Sequence, residues 1–273
     1  MTDHYAVIGN PIGHSKSPLI HGRFAEATGQ AMDYVALAAP ADGFAAAVDA
    51  FRSAGGRGLN ITAPFKLDAY AYAGTVSDRA RLAGAVNALR FEGDRVEGEN
   101  FDGVGLVRDI TVNAGQRIDG RRVLLLGAGG AARGALAPLL AERPAHLMLA
   151  NRTFTKAAAL AAAFAEHGPI TAGDVDQFAA GGFDLVINAT SSGLSGGPPP
   201  APASTFQDCI LAYDMTYGLG LTPFLSLARD GGARAIIDGV GMLVEQAAEA
   251  FAWWRGIRPA TAAVMAALRA PPD

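Results

Sequence analysis

The chain has 273 residues, half of them hydrophobic, a formal net charge of −4 and one cysteine. This length accommodates two domains with buried cores, and an acidic balance without a basic cluster excludes binding to nucleic-acid phosphates. No apolar run reaches about 18 residues and no charged-then-apolar leader precedes Tyr5, so a soluble, cytoplasmic protein with no membrane partner is expected.

Tyr5-Ala-Val-Ile-Gly9 reads as a short buried strand that runs into Asn10-Pro-Ile-Gly-His-Ser15-Lys-Ser17-Pro18 and then a helix to about Thr28. Ser17 followed by Pro18 makes a favourable N-cap with proline at the first helical position. Ser15 has no such role, and two hydroxyls at a helix N-terminus also form a cradle for a small anion such as a carboxylate.

A strand is expected over residues 32–38, an Ala-rich helix over 42–53 and a third strand over 58–62. Alternation sets Asn60 and Thr62 on one face of that strand. Lys66 then falls in the first turn of a helix over 65–73. The positive end of a helix disfavours a cation and lowers a lysine pKa, the adjustment that proton transfer needs; the plain alternative is a solvated lysine. Residues 92–94 read as a hairpin turn, and Asp102 as the N-cap of a helix to about Val112, a position from which it can also serve chemistry.

From Gly120 onward strand and helix alternate: strands over 122–126, 146–150, 184–190, 210–215 and 234–238, with helices over 131–140, 155–166 and 222–229. Repeated βα units with short connections imply a doubly wound parallel sheet. The first strand runs into Gly127-Ala128-Gly129-Gly130-Ala131-Ala132, a turn that admits a pyrophosphate at the following helix N-terminus. After the second strand, where an NAD site places Asp or Glu, the chain has Asn151-Arg152-Thr153 with Lys156 one turn on. A guanidinium grips a 2′-phosphate that a carboxylate would repel, so these residues point to NADP; the alternative is a helix capped by Thr153 beside two solvated cations.

Residues 191–202, rich in Gly and Pro, form the longest expected loop. Cys209 sits in an apolar run and reads as a buried strand residue rather than a nucleophile. A lone cysteine excludes an internal disulfide and a Cys-based zinc site, and the five histidines show no ligand spacing beyond a loose His14/His21, so no metal is assigned. An amphipathic helix over 239–254 and a last helix over 260–268 have no strand after them and are expected to pack back on the first domain. The domains are therefore expected at 1–102 with 239–273, and at 103–238.

Taken together, Gly9-Asn10-Pro11, Ser15-Lys16-Ser17-Pro18, Asn60-Ile-Thr62-Ala-Pro64-Phe65-Lys66, Gly84-Ala-Val-Asn87, Asn100-Phe-Asp102-Gly103, Gly127 to Ala131, Asn151-Arg-Thr153, Asn188-Ala-Thr-Ser-Ser-Gly193 and Asp238-Gly-Val-Gly-Met242 resemble the shikimate dehydrogenases. The resemblance implies an α/β substrate domain, an NADP-binding Rossmann domain, a cleft between them, and reversible reduction of 3-dehydroshikimate to shikimate with NADPH in chorismate and aromatic amino acid biosynthesis. It assigns Ser15 and Ser17 to the substrate carboxylate, Asn60, Thr62, Asn87 and Gln246 to the ring hydroxyls, and sets Tyr217 over the carboxylate side. Lys66 and Asp102 match the catalytic pair. Gly127, Ala128, Gly129, Gly130, Ala131, Asn151, Arg152, Thr153 and Lys156 match cofactor positions, and Thr190, Met215, Gly239 and Met242 line the nicotinamide pocket. The resemblance leaves open a monomer or a homodimer.

Two positions depart from the family pattern. Phe101 and Ala88 stand where threonines are usual, so either the two have repacked against each other or Phe101 narrows the substrate pocket beside Asp102. Alternatives to the leading reading are a quinate/shikimate or aminoshikimate dehydrogenase, and a dinucleotide-binding regulator without turnover.

Overall fold

The apolar runs near the start of the chain pair side by side. In the computed structural model, which describes residues 2–190, 200–218 and 220–269, β1 (Asp3–Gly9) lies between β2 (Met32–Ala38) and β3 (Gly56–Ile61), both parallel to it. Helix α1 (Ser17–Thr28) connects β1 to β2 and ends at Gly29, whose φ of 64° is the left-handed conformation that glycine adopts without strain. Helix α2 (Phe44–Ser53) leads to β3, and α3 (Lys66–Tyr72) follows it. A two-residue strand β4 (Thr75–Val76) that periodicity does not reveal, α4 (Asp78–Ala83) and the hairpin of β5 (Ala88–Glu92) with β6 (Arg95–Glu99) complete a sheet of order β2-β1-β3-β5-β6-β4. Its core includes Ile8, Leu59, Ile61, Phe65, Val86 and Leu89.

Helix α5 (Asp102–Arg108) and a π-helical turn (Asp109–Asn113) lead into the second unit. There β7 (Arg122–Leu126), α6 (Gly130–Ala141), β8 (His146–Ala150), α7 (Phe154–Ala163), β9 (Ile170–Gly173), α8 (Val175–Phe178), β10 (Leu185–Asn188), β11 (Leu211–Asp214), α9 (Pro223–Asp230) and β12 (Ala235–Asp238) follow in turn. All pairings are parallel and the order is β12-β11-β10-β7-β8-β9, the Rossmann order with its reversal between β7 and β10. Strand β9, with Ile170 as its one large apolar side chain, has no period by which it could have been predicted. Cys209 is buried in the connection before β11 rather than in the strand, and burial pushes its thiol up to about 11, which removes it as a nucleophile at neutral pH.

Helices α10 (Val240–Arg255) and α11 (Ala262–Arg269) end the chain. By its contacts the chain divides into Met1–Gly105 with Val244–Asp273, and Leu106–Leu243. The divisions fall within α5 and α10. The loop expected over 191–202 lies largely outside the described residues. Among those described, no helix is long and apolar enough to cross a membrane, and no group of three potential ligands is placed to hold a metal ion.

His21, on α1, is fully buried among Tyr34, Phe24, Phe251 and Trp254, and neither ring nitrogen has a hydrogen-bond partner. Burial holds its pKa down at about 3 against 6.5. The folded chain therefore binds fewer protons than the unfolded chain between these values, and stability falls by about 1.4 kcal/mol for each pH unit below about 6 until the folded pKa is reached. A His21→Phe protein should lose this one-proton slope when unfolding free energies at about pH 7 and pH 5 are compared; an unchanged slope would assign it to another group.

Candidate active site

Lys66, the first residue of α3, and Asp102, the first of α5, meet directly: Lys66 Nζ donates to Asp102 Oδ2 at 2.6 Å. The carboxylate offsets the cost of a cation in the first turn of a helix. Lys66 retains 35% side-chain exposure and Asp102 15%, so the pair is sheltered yet reachable. The other Asp102 oxygen accepts from Asn87 Nδ2 at 2.8 Å, and the same Nδ2 donates to Gln246 Oε1 at 3.2 Å. Asn60 Nδ2 makes a longer contact of 3.4 Å to the Asn87 carbonyl oxygen. Lys66, Asp102, Asn87, Gln246 and Asn60 thus form one polar cluster, with Thr62 half-buried just past the end of β3.

Two expected caps move. Helix α1 begins at Ser17 with Lys16 at the N-cap position and no side-chain cap; Ser15 Oγ accepts the Ser17 N–H at 3.3 Å, and Ser17 itself is buried. Asp102 does not cap α5 either: Asn100 Oδ1 accepts the Asp102 N–H at 3.1 Å, which releases the Asp102 carboxylate for Lys66 and Asn87. Asn100 and Tyr34, whose hydroxyl donates to Asn60 Oδ1 at 2.7 Å, are the contributors the sequence reading did not assign. Neither carries a local signal; Tyr34 is 26 residues from its partner.

The two departures from the family pattern face each other. Phe101, Ala88 and Ala250 are buried in one apolar cluster backed by Trp253 and Trp254; Phe101 meets Trp253 edge-on with ring centres 5.8 Å apart, and the Arg79 guanidinium lies over its ring. The larger ring and the smaller Ala88 share one apolar cluster, the arrangement that the repacking alternative expects. Only the backbone of Phe101 touches the polar cluster, its N–H donating to Asn87 Oδ1 at 2.9 Å.

In the second unit, Gly127 has φ 111° and a Cβ there would lie 3.1 Å from the Ala189 backbone, so glycine alone lets the end of β7 pass β10. Ala128 lies between Gly127 and Gly129. A Cβ on Gly129 or Gly130 would meet nothing within 4 Å, which leaves the N-terminus of α6 open at Ala131. Arg152, Thr153 and Lys156 are exposed just beyond β8, and Asn151 Nδ2 donates to the Thr153 carbonyl oxygen. Thr153 flanks α7 without a side-chain cap. Asn188 is buried; it accepts from Thr190 N–H and Oγ1 and donates to Asp214 Oδ1, tying the ends of β10 and β11 beside Met215. Gly239 packs so closely on the Met215 backbone that a Cβ would lie 2.4 Å from its oxygen. Met242 is half-buried in the first turns of α10, and Tyr217 is exposed in the turn after β11.

A Rossmann-ordered sheet with an open glycine-rich turn, in one chain with a unit that pairs a lysine and a carboxylate among amides, defines a dinucleotide-dependent dehydrogenase of two α/β units. Family models described as shikimate dehydrogenase substrate binding domain, shikimate/quinate 5-dehydrogenase and shikimate 5′-dehydrogenase C-terminal domain match residues 7–89, 109–195 and 239–269. The chain belongs to the shikimate dehydrogenase family. A shikimate dehydrogenase (NADP(+)) of Dechloromonas aromatica is 58% identical over 270 residues, covering 99% of this chain and 98% of that protein. The crystal structure of an Ael1 enzyme from Pseudomonas putida matches with a TM-score of 0.95 at 54% identity and full coverage of both chains. The shikimate 5-dehydrogenase of Thermus thermophilus, solved with NADP(H) and shikimate, matches with a TM-score of 0.87 at 33% identity, covering 98% and 99% of the two chains.

Proposed function

We propose that this chain catalyses the reversible reduction of 3-dehydroshikimate to shikimate with NADPH, in the cytoplasm, as a step of chorismate and aromatic amino acid biosynthesis. The observation that carries this reading is the Lys66–Asp102 ion pair set among Asn87, Asn60 and Gln246, in a family whose relatives are named for that reaction. Ser15 and Ser17 receive the substrate carboxylate, with Tyr217 on the carboxylate side, and Asn60, Thr62, Asn87 and Gln246 bond the ring hydroxyls. In the reducing direction the Lys66 ammonium gives a proton to the C3 oxygen as negative charge develops there, and Asp102 holds the resulting hydroxyl. Run backwards, the pair removes that proton.

The residues present fit NADP. The open N-terminus of α6 suits a pyrophosphate, and Arg152 and Lys156 reach solvent beyond β8, where a 2′-phosphate needs cations. Gly127, Ala128, Gly129, Gly130 and Ala131 would hold the pyrophosphate, Asn151, Arg152, Thr153 and Lys156 the adenosine end, and Thr190, Met215, Gly239 and Met242 the nicotinamide. The dinucleotide supplies the hydride. An Arg152→Ala protein is expected to raise KM for NADP+ about 10- to 100-fold, the loss of a charge-assisted contact, with little change for NAD+. Initial rates with each dinucleotide check this; equal losses with both would detach Arg152 from the 2′-phosphate.

A further inference from the structure

Tyr34 lies on β2, outside the residues assigned to substrate, cofactor or proton transfer, and its side chain is built into the polar cluster. Its ring stacks flat on His21, centres 4.1 Å apart and planes 2° from parallel. The hydroxyl donates to Asn60 Oδ1 at 2.7 Å. Burial holds the phenol well above its ordinary pKa, so it stays a donor throughout the working range.

An amide offers one acceptor and two donors, and which end faces a ligand depends on what occupies the other end. With the Tyr34 hydroxyl on Oδ1, and only a 3.4 Å contact from Nδ2 to the Asn87 carbonyl, Asn60 has its oxygen turned to Tyr34 and one N–H donor left on Nδ2. We infer that Tyr34 is a positioning residue: held by the His21 ring, it fixes the Asn60 amide so that its NH2 faces the substrate, and the substrate atom opposite Asn60 must be a hydrogen-bond acceptor. A hydroxyl or carbonyl oxygen meets this condition, whereas an ammonium in its place would face a second donor. The inference rests on the assignment of Asn60 to the substrate.

The test is a double-mutant cycle of Tyr34→Phe and Asn60→Ala read in steady-state kinetics. Phenylalanine keeps the ring on His21 and removes only the donor. Tyr34→Phe is expected to raise KM for shikimate about tenfold, with kcat changed less than about threefold and KM for NADP+ unchanged, the effect of one sheltered hydrogen bond. In the Asn60→Ala background the same change should have no further effect on KM, because the amide it orients is gone. A Tyr34→Phe protein with unaltered KM, while Asn60→Ala raises it, would overturn the inference and leave the site assignment standing. Effects that multiply in the double variant, or a loss shared with KM for NADP+, would reduce Tyr34 to a structural residue and overturn it also. An Asn60→Ala protein with unaltered KM would overturn both the inference and the assignment beneath it. Circular dichroism and melting of each variant separate these results from loss of fold.

Discussion

A Lys66→Ala protein is expected to turn over shikimate with a kcat about a thousandfold lower, with KM for NADP+ unchanged. The size follows from the role: a positioned proton donor and acceptor contributes about 10²- to 10⁴-fold, and none of the neighbours replaces it. Gln246, Asn87 and Asn60 are amides that cannot titrate, and Asp102 remains as an anion without its 2.6 Å partner. Leaving that carboxylate half-buried and unpaired weakens the ground-state site as well, so KM for shikimate should rise modestly. The residues assigned to the cofactor belong to the other unit, which is why dinucleotide KM serves as the internal control. A kcat within about tenfold of the parent protein would remove Lys66 from the chemistry.

The second large effect is on stability. Phe101→Ala is expected to cost about 3–5 kcal/mol, read as an earlier denaturant midpoint, because the ring is buried against Ala88, Ala250 and Trp253 and its removal leaves a cavity. KM for shikimate should change little, since only the backbone N–H of Phe101 reaches the polar cluster and alanine retains it. The opposite pattern, near-normal stability with altered KM, would mean that the ring shapes the substrate pocket after all.

These expectations draw on features of unequal visibility in the chain. Lys66 and Asp102 were legible because each falls where a strand gives way to a helix, and the order of the sheet then brings such ends together. What was not legible is the division of labour at the helix starts. Ser17 and Asp102 have the composition of N-caps, but Ser15 and Asn100, each two residues earlier, accept their backbone N–H groups instead, and a one-dimensional pattern does not say which of two polar neighbours faces the helix. Tyr34 was invisible for another reason: its partners Asn60 and His21 come from other elements, and β2 alone gives no sign of them. The Rossmann unit was read from its Gly127 turn and alternating apolar runs, yet β9 escaped because an edge strand of four residues with one large apolar side chain has no usable period.

The account turns on which substrate and dinucleotide the chain uses, and one measurement addresses that directly: steady-state reduction of NADP+ by shikimate, set beside quinate and beside NAD+. The polar cluster and Arg152 predict that shikimate with NADP+ is the fastest pair by a wide margin. Faster turnover of quinate with NAD+, or NADP+ binding with no turnover of either acid, would contradict it.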